Sequence, residues 1–328
     1  MISDCTKSII KYGYLKGIGR KYLVGVLRAC AKDSISVEEY FIKDVVQSNK
    51  YSVKEIEEAE KFSEEQVSMA LSFGHNIISM NDFSYPDSLR DVPDPPPFLY
   101  CSGNIDALKK DSVTVIGTRE PTEHGRIIAE RVTSWFVSDG WVITSGLAKG
   151  VDTVAHNACV EVGGATIAVM AHGLEKVYPA ANRRLAERIV EHGGILVSEY
   201  GYNSYVNRSN FIERDRIQAA LAKGVVLVQS DLQGGSLHAS RASLRYDRYL
   251  VVLEPSALDI RRKESKVSAN ILFKSSNDIA KAELLAITPD KLNMVLYLKD
   301  KKYLPWAASK LRGVQFQNED RVGSDLFG

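Results

Sequence analysis

The sequence predicts an α/β protein: an open parallel sheet with helices on both faces, preceded by a small helical domain over residues 1–75. Three observations predict it. Apolar, β-branched runs of strand length recur between Val113 and Pro255. Each run stops at a turn of small or polar residues, and apolar residues then return every three or four positions, the period of a helix with one buried face. Strand, turn and helix repeat in that order, which makes βαβ units and a parallel sheet. In such sheets ligands sit beyond the carboxyl ends of the strands, where loops meet helix N-termini.

The N-terminal 75 residues read as helical and separate. Leu15-Lys16-Gly17-Ile18-Gly19, followed by Leu23, Val24, Val26 and Leu27, has the form of a helix-hairpin-helix turn, whose glycines let backbone approach a phosphate. It reads equally as a tight turn between two packed helices. Val53 to Phe73 is an amphipathic helix whose Glu and Lys side is a solvated face. Ile77, Ile78 and Met80 suggest a short strand. The proline cluster from Pro93 to Pro97 forbids helix and favours a stiff, extended entrance to the next domain, which takes residues 76–285.

Val113 to Ile116 is the first strand of the repeating units, ending at Gly117-Thr118-Arg119, with a helix through Val137 behind it. Trp141 to Thr144 is the second and ends at Ser145-Gly146-Leu147-Ala148-Lys149-Gly150. Ala165 to Met170 and Gly194 to Glu199 follow, separated by a helix from Arg184 to His192. Next comes a long polar loop carrying Arg208, Asn210 and Phe211, with helix expected only from Ile217 to Ala222. Val225 to Val228 is the most apolar strand and is expected at the centre, buried on both faces. It runs into Gly234-Gly235-Ser236, a helix, and a last strand from Tyr249 to Leu253. Residues 286–328 form a short C-terminal extension with one apolar patch.

The totals exclude little but are consistent with this reading. The 328 residues are 45% hydrophobic and 25% charged, as in an ordinary globular protein, and a net charge of +1 does not decide for or against nucleic acid. Cys5, Cys30, Cys101 and Cys159 lie far apart with no metal-ligand spacing, so they read as reduced thiols, and no metal or cofactor is expected. No apolar run reaches the length of a membrane span and the start lacks a signal-peptide core; a cytoplasmic protein is expected.

The unusual residues gather at the predicted strand ends. A Gly-rich turn before a helix attracts an anion, and Arg119 can add a two-pronged contact to a phosphate. Lys149, Arg214 and Arg216 can converge on the same edge, with Phe211 as a stacking platform for bases. Against this, Arg214 or Arg216 can pair internally with Glu213, Asp215 or Asp231, and Phe211 can be a core anchor. Asp152 and His156 lie one helical turn apart, like an acid–base pair, although an aspartate near a helix start more often caps amides.

Six motifs in order complete the picture: Tyr85-Pro86 with Pro95-Pro96-Pro97, Gly117-Thr118-Arg119, Ser145 to His156, Gly173 to Asn182, Asn210-Phe211 with Arg214 and Arg216, and Gly235-Ser236-Leu237. Together they resemble the DNA-processing protein A family, DprA or Smf, from about Gly74 to Leu285. The resemblance implies an extended Rossmann-like fold and a homodimer, not an enzyme, that binds and protects single-stranded DNA and loads a RecA-type recombinase on it in transformation and recombination. It places the pocket at Gly117, Thr118, Arg119, Asn210, Phe211 and Arg214, and the expected DNA contacts add Gly146, Lys149, Arg216, Gly235 and Ser236. The chain reads as a divergent member: Glu213 and Asp215 remove positive charge where the family has further arginine and asparagine, Gly234 replaces a common serine, and Glu254-Pro255-Ser256 replaces valine-proline-glycine.

Two rivals share the fold. A phosphoribohydrolase of the "lonely guy" type needs a carboxylate at a fixed spacing after its Gly-Gly turn, and from Gly234 and Gly235 that spacing arrives at Arg241. A sensor of a nucleotide or nucleotide derivative can use the same pocket, with Glu213 and Asp215 reading a sugar or base edge. No turn gives the GxGxxG of a nicotinamide dehydrogenase, and Ser145-Gly146 lacks the GxSxG elbow of a hydrolase.

Overall fold

The computed structural model describes residues 2–47 and 50–314. Nine strands form one sheet: β1 (Asn76–Ser79), β2 (Phe98–Gly103), β3 (Ser112–Ile116), β4 (Val142–Ser145), β5 (Thr166–Met170), β6 (Ile195–Ser198), β7 (Gly224–Leu227), β8 (Tyr249–Leu253) and β9 (Val295–Leu298). Their spatial order is β1-β2-β6-β5-β4-β3-β7-β8-β9. From β6 to β9 every pairing is parallel, so the Rossmann-like class holds. The exception is the β1–β2 edge, where β1 pairs β2 and β2 pairs β6 antiparallel. The expected centre is displaced as well: β7 is buried throughout but lies third from the β9 edge, with β4 in the middle.

The N-terminal helices are α1 (Asp4–Tyr14), α2 (Arg20–Asp33), α3 (Val37–Phe41) and α4 (Val53–Ser72). Between β1 and β2 lies α5 (Asp87–Arg90). The sheet is then covered by α6 (Glu123–Ser138), α7 (Val151–Glu161), α8 (Arg183–Glu191), α9 (Arg208–Leu221) and α10 (Ser236–Arg245). After β8 come α11 (Ala257–Arg261), α12 (Ser268–Lys274) and α13 (Asp278–Leu285), and after β9 comes α14 (Leu304–Arg312).

The alternation of side chains along each strand sorts the core into two layers. Val113 and Val115 of β3 and Ile143 of β4 meet Ala129 and Phe136 of α6, Ala155 of α7 and Ala307 of α14 on one face. Ile116 of β3, Val142 of β4 and Val225 of β7 turn the other way, toward Ile217 of α9 and Leu237 of α10. That second cluster also holds Ile9, Tyr12, Leu23 and Phe41 of the N-terminal helices, together with Ile78 of β1 and Leu99 of β2. The N-terminal helices therefore share a core with the sheet. Likewise β9 extends the sheet at β8 instead of standing apart as a tail. The turn from Leu15 to Gly19 joins two packed helices, with Leu15 and Ile18 in the shared core and Gly17 in the left-handed region at φ 88°.

Candidate nucleic-acid interface

The C-terminal ends of β3, β4, β5 and β7 open onto a cleft of about 870 Å³. Two glycines draw its walls together. A Cβ on Gly150, which sits at φ 81°, would collide with the carbonyl of Thr118, and one on Gly117 would collide with Val151. The turn after β3 and the turn after β4 are thus in backbone contact. Thr118 donates its amide to the Gln229 carbonyl at 2.8 Å and accepts the Val151 amide at 3.2 Å. Asn182 ties the second turn from the side, donating to the Leu147 carbonyl at 2.8 Å and to Thr153 at 2.9 Å.

Asp152 and His156 are part of this scaffold. Asp152 accepts the Gly146 amide at 3.1 Å and the Ala148 amide at 3.4 Å, the capping role open to an aspartate in a first helical turn. His156 is fully buried, its Nδ1 bonded to the Thr166 hydroxyl at 2.8 Å, and burial pushes its pKa down to about 3. That imidazole is neutral at physiological pH and faces no solvent.

Residues 208–216, expected as a loop, belong to α9. The Asn207 side chain caps it, accepting the Asn210 amide at 3.1 Å. The helix changes where the arginines go. Arg214 is 4% exposed and donates to the carbonyls of Gly146, at 2.5 Å, and Val169, while its Nε reaches Asp215 at 3.1 Å. Its guanidinium lies against Gly146, where a Cβ would collide with it. Arg214 therefore pins α9 to the ends of β4 and β5. Arg216, two residues on, leaves the cleft altogether: it pairs with the buried Glu199, donates to the Asp94 carbonyl at 2.7 Å, and lines a neighbouring groove. The two arginines do not converge on one edge. Asn210 is also turned inward, donating to the Ala171 and Tyr205 carbonyls at 3.3 Å.

Of the expected contacts, Gly117, Thr118, Arg119, Phe211, Arg214, Gly235 and Ser236 line the cleft; Gly146, Lys149, Asn210 and Arg216 do not. Lys149 is exposed, next to the lining residue Ala148. Sequence reasoning left Tyr178 and Arg208 out of the site. Tyr178 is 58% exposed and makes an edge-on contact with Phe211, ring centroids 5.5 Å apart. It sits inside the Val177-Tyr178-Pro179 motif, whose exposed aromatic was the available signal. Arg208, in the first turn of α9, was visible only as one cation in a polar run.

The charges are layered. Among the described residues neither Arg119 nor Arg208 has a carboxylate partner, and both are exposed. The acids lie deeper. Burial raises the pKa of Asp152 and of Asp215 to about 6 in each case, against the opposing pull of Arg214. Asp231 is turned to its own loop, accepting the Gln233 amide at 2.8 Å. Glu213 does not line the cleft; it faces Arg20 at 3.0 Å. The first turn of α10, after Gly235, carries no side-chain cap and adds the positive end of a helix to the rim. This arrangement can hold a phosphate at Arg119 and Arg208 with a base against Tyr178 and Phe211. No group of three or more His, Cys, Asp or Glu among the described residues could hold a metal ion, and no described helix is long and apolar enough to cross a membrane.

Residues 76–283 match the family model of the DNA recombination-mediator protein A. The chain is 37% identical over 181 residues to the DNA processing protein DprA of Streptococcus pneumoniae, covering 55% of this chain and 64% of that protein. It is 32% identical over 232 residues to protein Smf of a Synechocystis species, covering 70% and 57% respectively. The chain thus spans about three-fifths of the length of these relatives. Among solved structures it superposes on the X-ray structure of DNA processing protein A from Streptococcus pneumoniae with a TM-score of 0.65 at 26% identity, covering 83% of this chain and 98% of that one. It also shares the fold of DNA processing protein A from Helicobacter pylori, a structure described for its single-stranded DNA binding mode, with a TM-score of 0.57 at 24% identity over 71% and 96% of the two chains.

Proposed function

Because the chain belongs to the DNA recombination-mediator protein A family, we propose that it is a DNA-processing protein that holds single-stranded DNA in the cleft at the strand ends, with little sequence preference. The observation that carries this reading is the pair of cations without a carboxylate partner among the described residues, Arg119 and Arg208, set beside the exposed Tyr178 and the half-buried Phe211 in one cleft. Phosphates supply most of the affinity for such a surface, and stacking on an aromatic tolerates any base. The site residues in this reading are Thr118, Arg119, Arg208, Tyr178, Phe211 and the Gly235-Ser236 turn, with Lys149 beside them. Arg214, Asn210 and Gly146 shape the wall.

Family membership supports the finer assignments: a cytoplasmic homodimer that protects single strands and loads a RecA-type recombinase on them, without catalytic turnover. The phosphoribohydrolase alternative finds Arg241 where it requires a carboxylate, and Arg241 lines the neighbouring groove. Competition against labelled oligothymidine tests the reading. Unlabelled single strands displace the label at far lower concentration than duplex or free nucleotides. Efficient displacement by AMP would instead assign the cleft to a free nucleotide, and release of free base from AMP would make the protein an enzyme.

The buried acids add a pH dependence. Asp152 and Asp215 have raised pKa values near 6, so both take up a proton as pH falls through that value, and two negative charges leave the cleft wall while phosphodiesters stay ionised. Affinity for single strands rises several-fold between about pH 7.5 and 5.5 at constant salt. Fluorescence anisotropy at the two pH values checks this, and Asp215→Asn flattens the response.

A further inference from the structure

Beside the cleft lies a second groove, of about 600 Å³, between α9, α10 and the segment after α13. Ile212 and His238 line both hollows, so the two are continuous along that ridge. We propose that this groove receives the phosphate backbone of the strand as it leaves the cleft, so that the protein grips more of the strand than the cleft alone can hold. The inference rests on the single-strand reading above and deepens it.

Its cations are unevenly matched: Arg20 and Arg216 each meet both Glu199 and Glu213 and Lys291 meets Asp247 at 3.0 Å, whereas Arg245 has one carboxylate and Arg241 none among the described residues. Arg241 spends its Nε on the Leu284 carbonyl at 3.0 Å, and its two terminal nitrogens have no partner among the described residues. Arg216, 5% exposed, keeps a buried Nε without a hydrogen-bond partner although its other nitrogens meet Glu199 and the Asp94 carbonyl. The Arg245 side chain is 58% exposed, rests over the Tyr246 ring at 4.8 Å, donates to the Tyr246 hydroxyl at 2.8 Å, and meets one carboxylate, Asp94, at 3.3 Å. Arg20 meets Glu213 at 3.0 Å. Asp94 and Glu213 are the acids of the lining: the Asp94 carboxylate is taken up by Arg245 and the Tyr246 hydroxyl, and Glu213 is shared between Arg20 and Arg216. The ridge has the other property a strand needs. Ile212 is 50% exposed between two cationic hollows, an apolar surface against which a base can lie while its phosphates pass to either side. A free mononucleotide fills one hollow; only a chain uses both.

Length dependence separates this from the first reading. Oligothymidines of about 6 and about 20 nucleotides are compared, a range that brackets the site sizes of single-strand binding folds. The wild type binds the longer oligomer more tightly than the added registers explain. The double variant R241Q/R245Q loses about 5- to 10-fold on the longer oligomer, with a salt slope shallower by about 1.4, two single-strand phosphate contacts. Its affinity for the shorter one does not change. Glu213→Gln strengthens binding of the longer oligomer, a gain that misfolding cannot produce. Unchanged length dependence and salt slope in both variants, with the shorter oligomer still bound, would overturn the second groove alone. Failure of the wild type to bind either oligomer would remove the cleft reading and the groove with it.

Discussion

Replacing Arg119 with alanine weakens binding to oligothymidine about 10-fold at moderate salt and makes the slope of log affinity against log salt shallower by about 0.7, the value for one lost phosphate contact on a single strand. The side chain is exposed, lines the cleft and makes no ion pair within 4 Å among the described residues; it feels Asp215 at longer range, so its guanidinium donors remain available to a ligand. Nothing in the fold depends on it, and the melting temperature of Arg119→Ala stays within about 1–2 °C of the wild type, as for a surface change of a few tenths of a kcal/mol. Arg119→Lys keeps the salt slope but loses part of the affinity, because a point charge replaces a planar fork. A salt titration by fluorescence anisotropy reads both quantities. An unchanged slope in the alanine variant would remove Arg119 from the interface.

Arg214→Ala has the opposite signature. The guanidinium is buried and bonded to two carbonyls, and its Nε reaches Asp215, so its loss leaves a buried carboxylate with no ion-pair partner, held only by the Gln218 amide at 2.8 Å, and two strand-end carbonyls without their donor. Breaking one side of a buried ion pair costs about 3–5 kcal/mol, a large share of the roughly 5–15 kcal/mol that holds a domain folded. The melting temperature falls by roughly 10 °C. Lysine does not rescue it, since one ammonium cannot span the carboxylate and both carbonyls in the plane the guanidinium occupies. The pH dependence of the loss has a definite sign. The raised pKa of Asp215 means that its burial opposes folding above the ordinary carboxyl value of 3.8 and does so in full above about pH 6, and with Arg214 removed that opposition grows. The deficit in the alanine variant is therefore largest at neutral pH and shrinks as pH falls through the carboxyl's pKa. Thermal melts at two pH values measure it. A variant with an unchanged melting temperature and weakened DNA binding would place Arg214 among the ligand contacts after all.

These two arginines show how far the sequence reaches. The strands from β3 to β8 were legible because each is an apolar, largely β-branched run closed by small residues, and the same turns put the candidate residues at the strand ends, where the cleft opens. The fate of each cation was not legible. The α9 helix buries Arg214 and Arg216 and exposes Ile212 and Glu213, the reverse of the pattern from which an amphipathic helix is read, so residues 208–216 look like a polar loop. Only the chain packed around the helix, with the Gly146 and Val169 carbonyls on one side and Glu199 on the other, gives those charges a reason to be inside. The short strand β9 escaped for a related reason. Four residues, Val295 to Leu298, carry no period of their own, and it is β8 that makes them a strand.

Ultraviolet crosslinking of oligothymidine to the wild-type protein, followed by mass-spectrometric mapping of the adducts, tests the placement of the strand most directly. Adducts fall on Tyr178 and Phe211, the aromatics that meet edge-on in the lining of the cleft. Adducts confined to surfaces away from the ends of β3, β4, β5 and β7, with Tyr178 and Phe211 unmodified, would contradict the account.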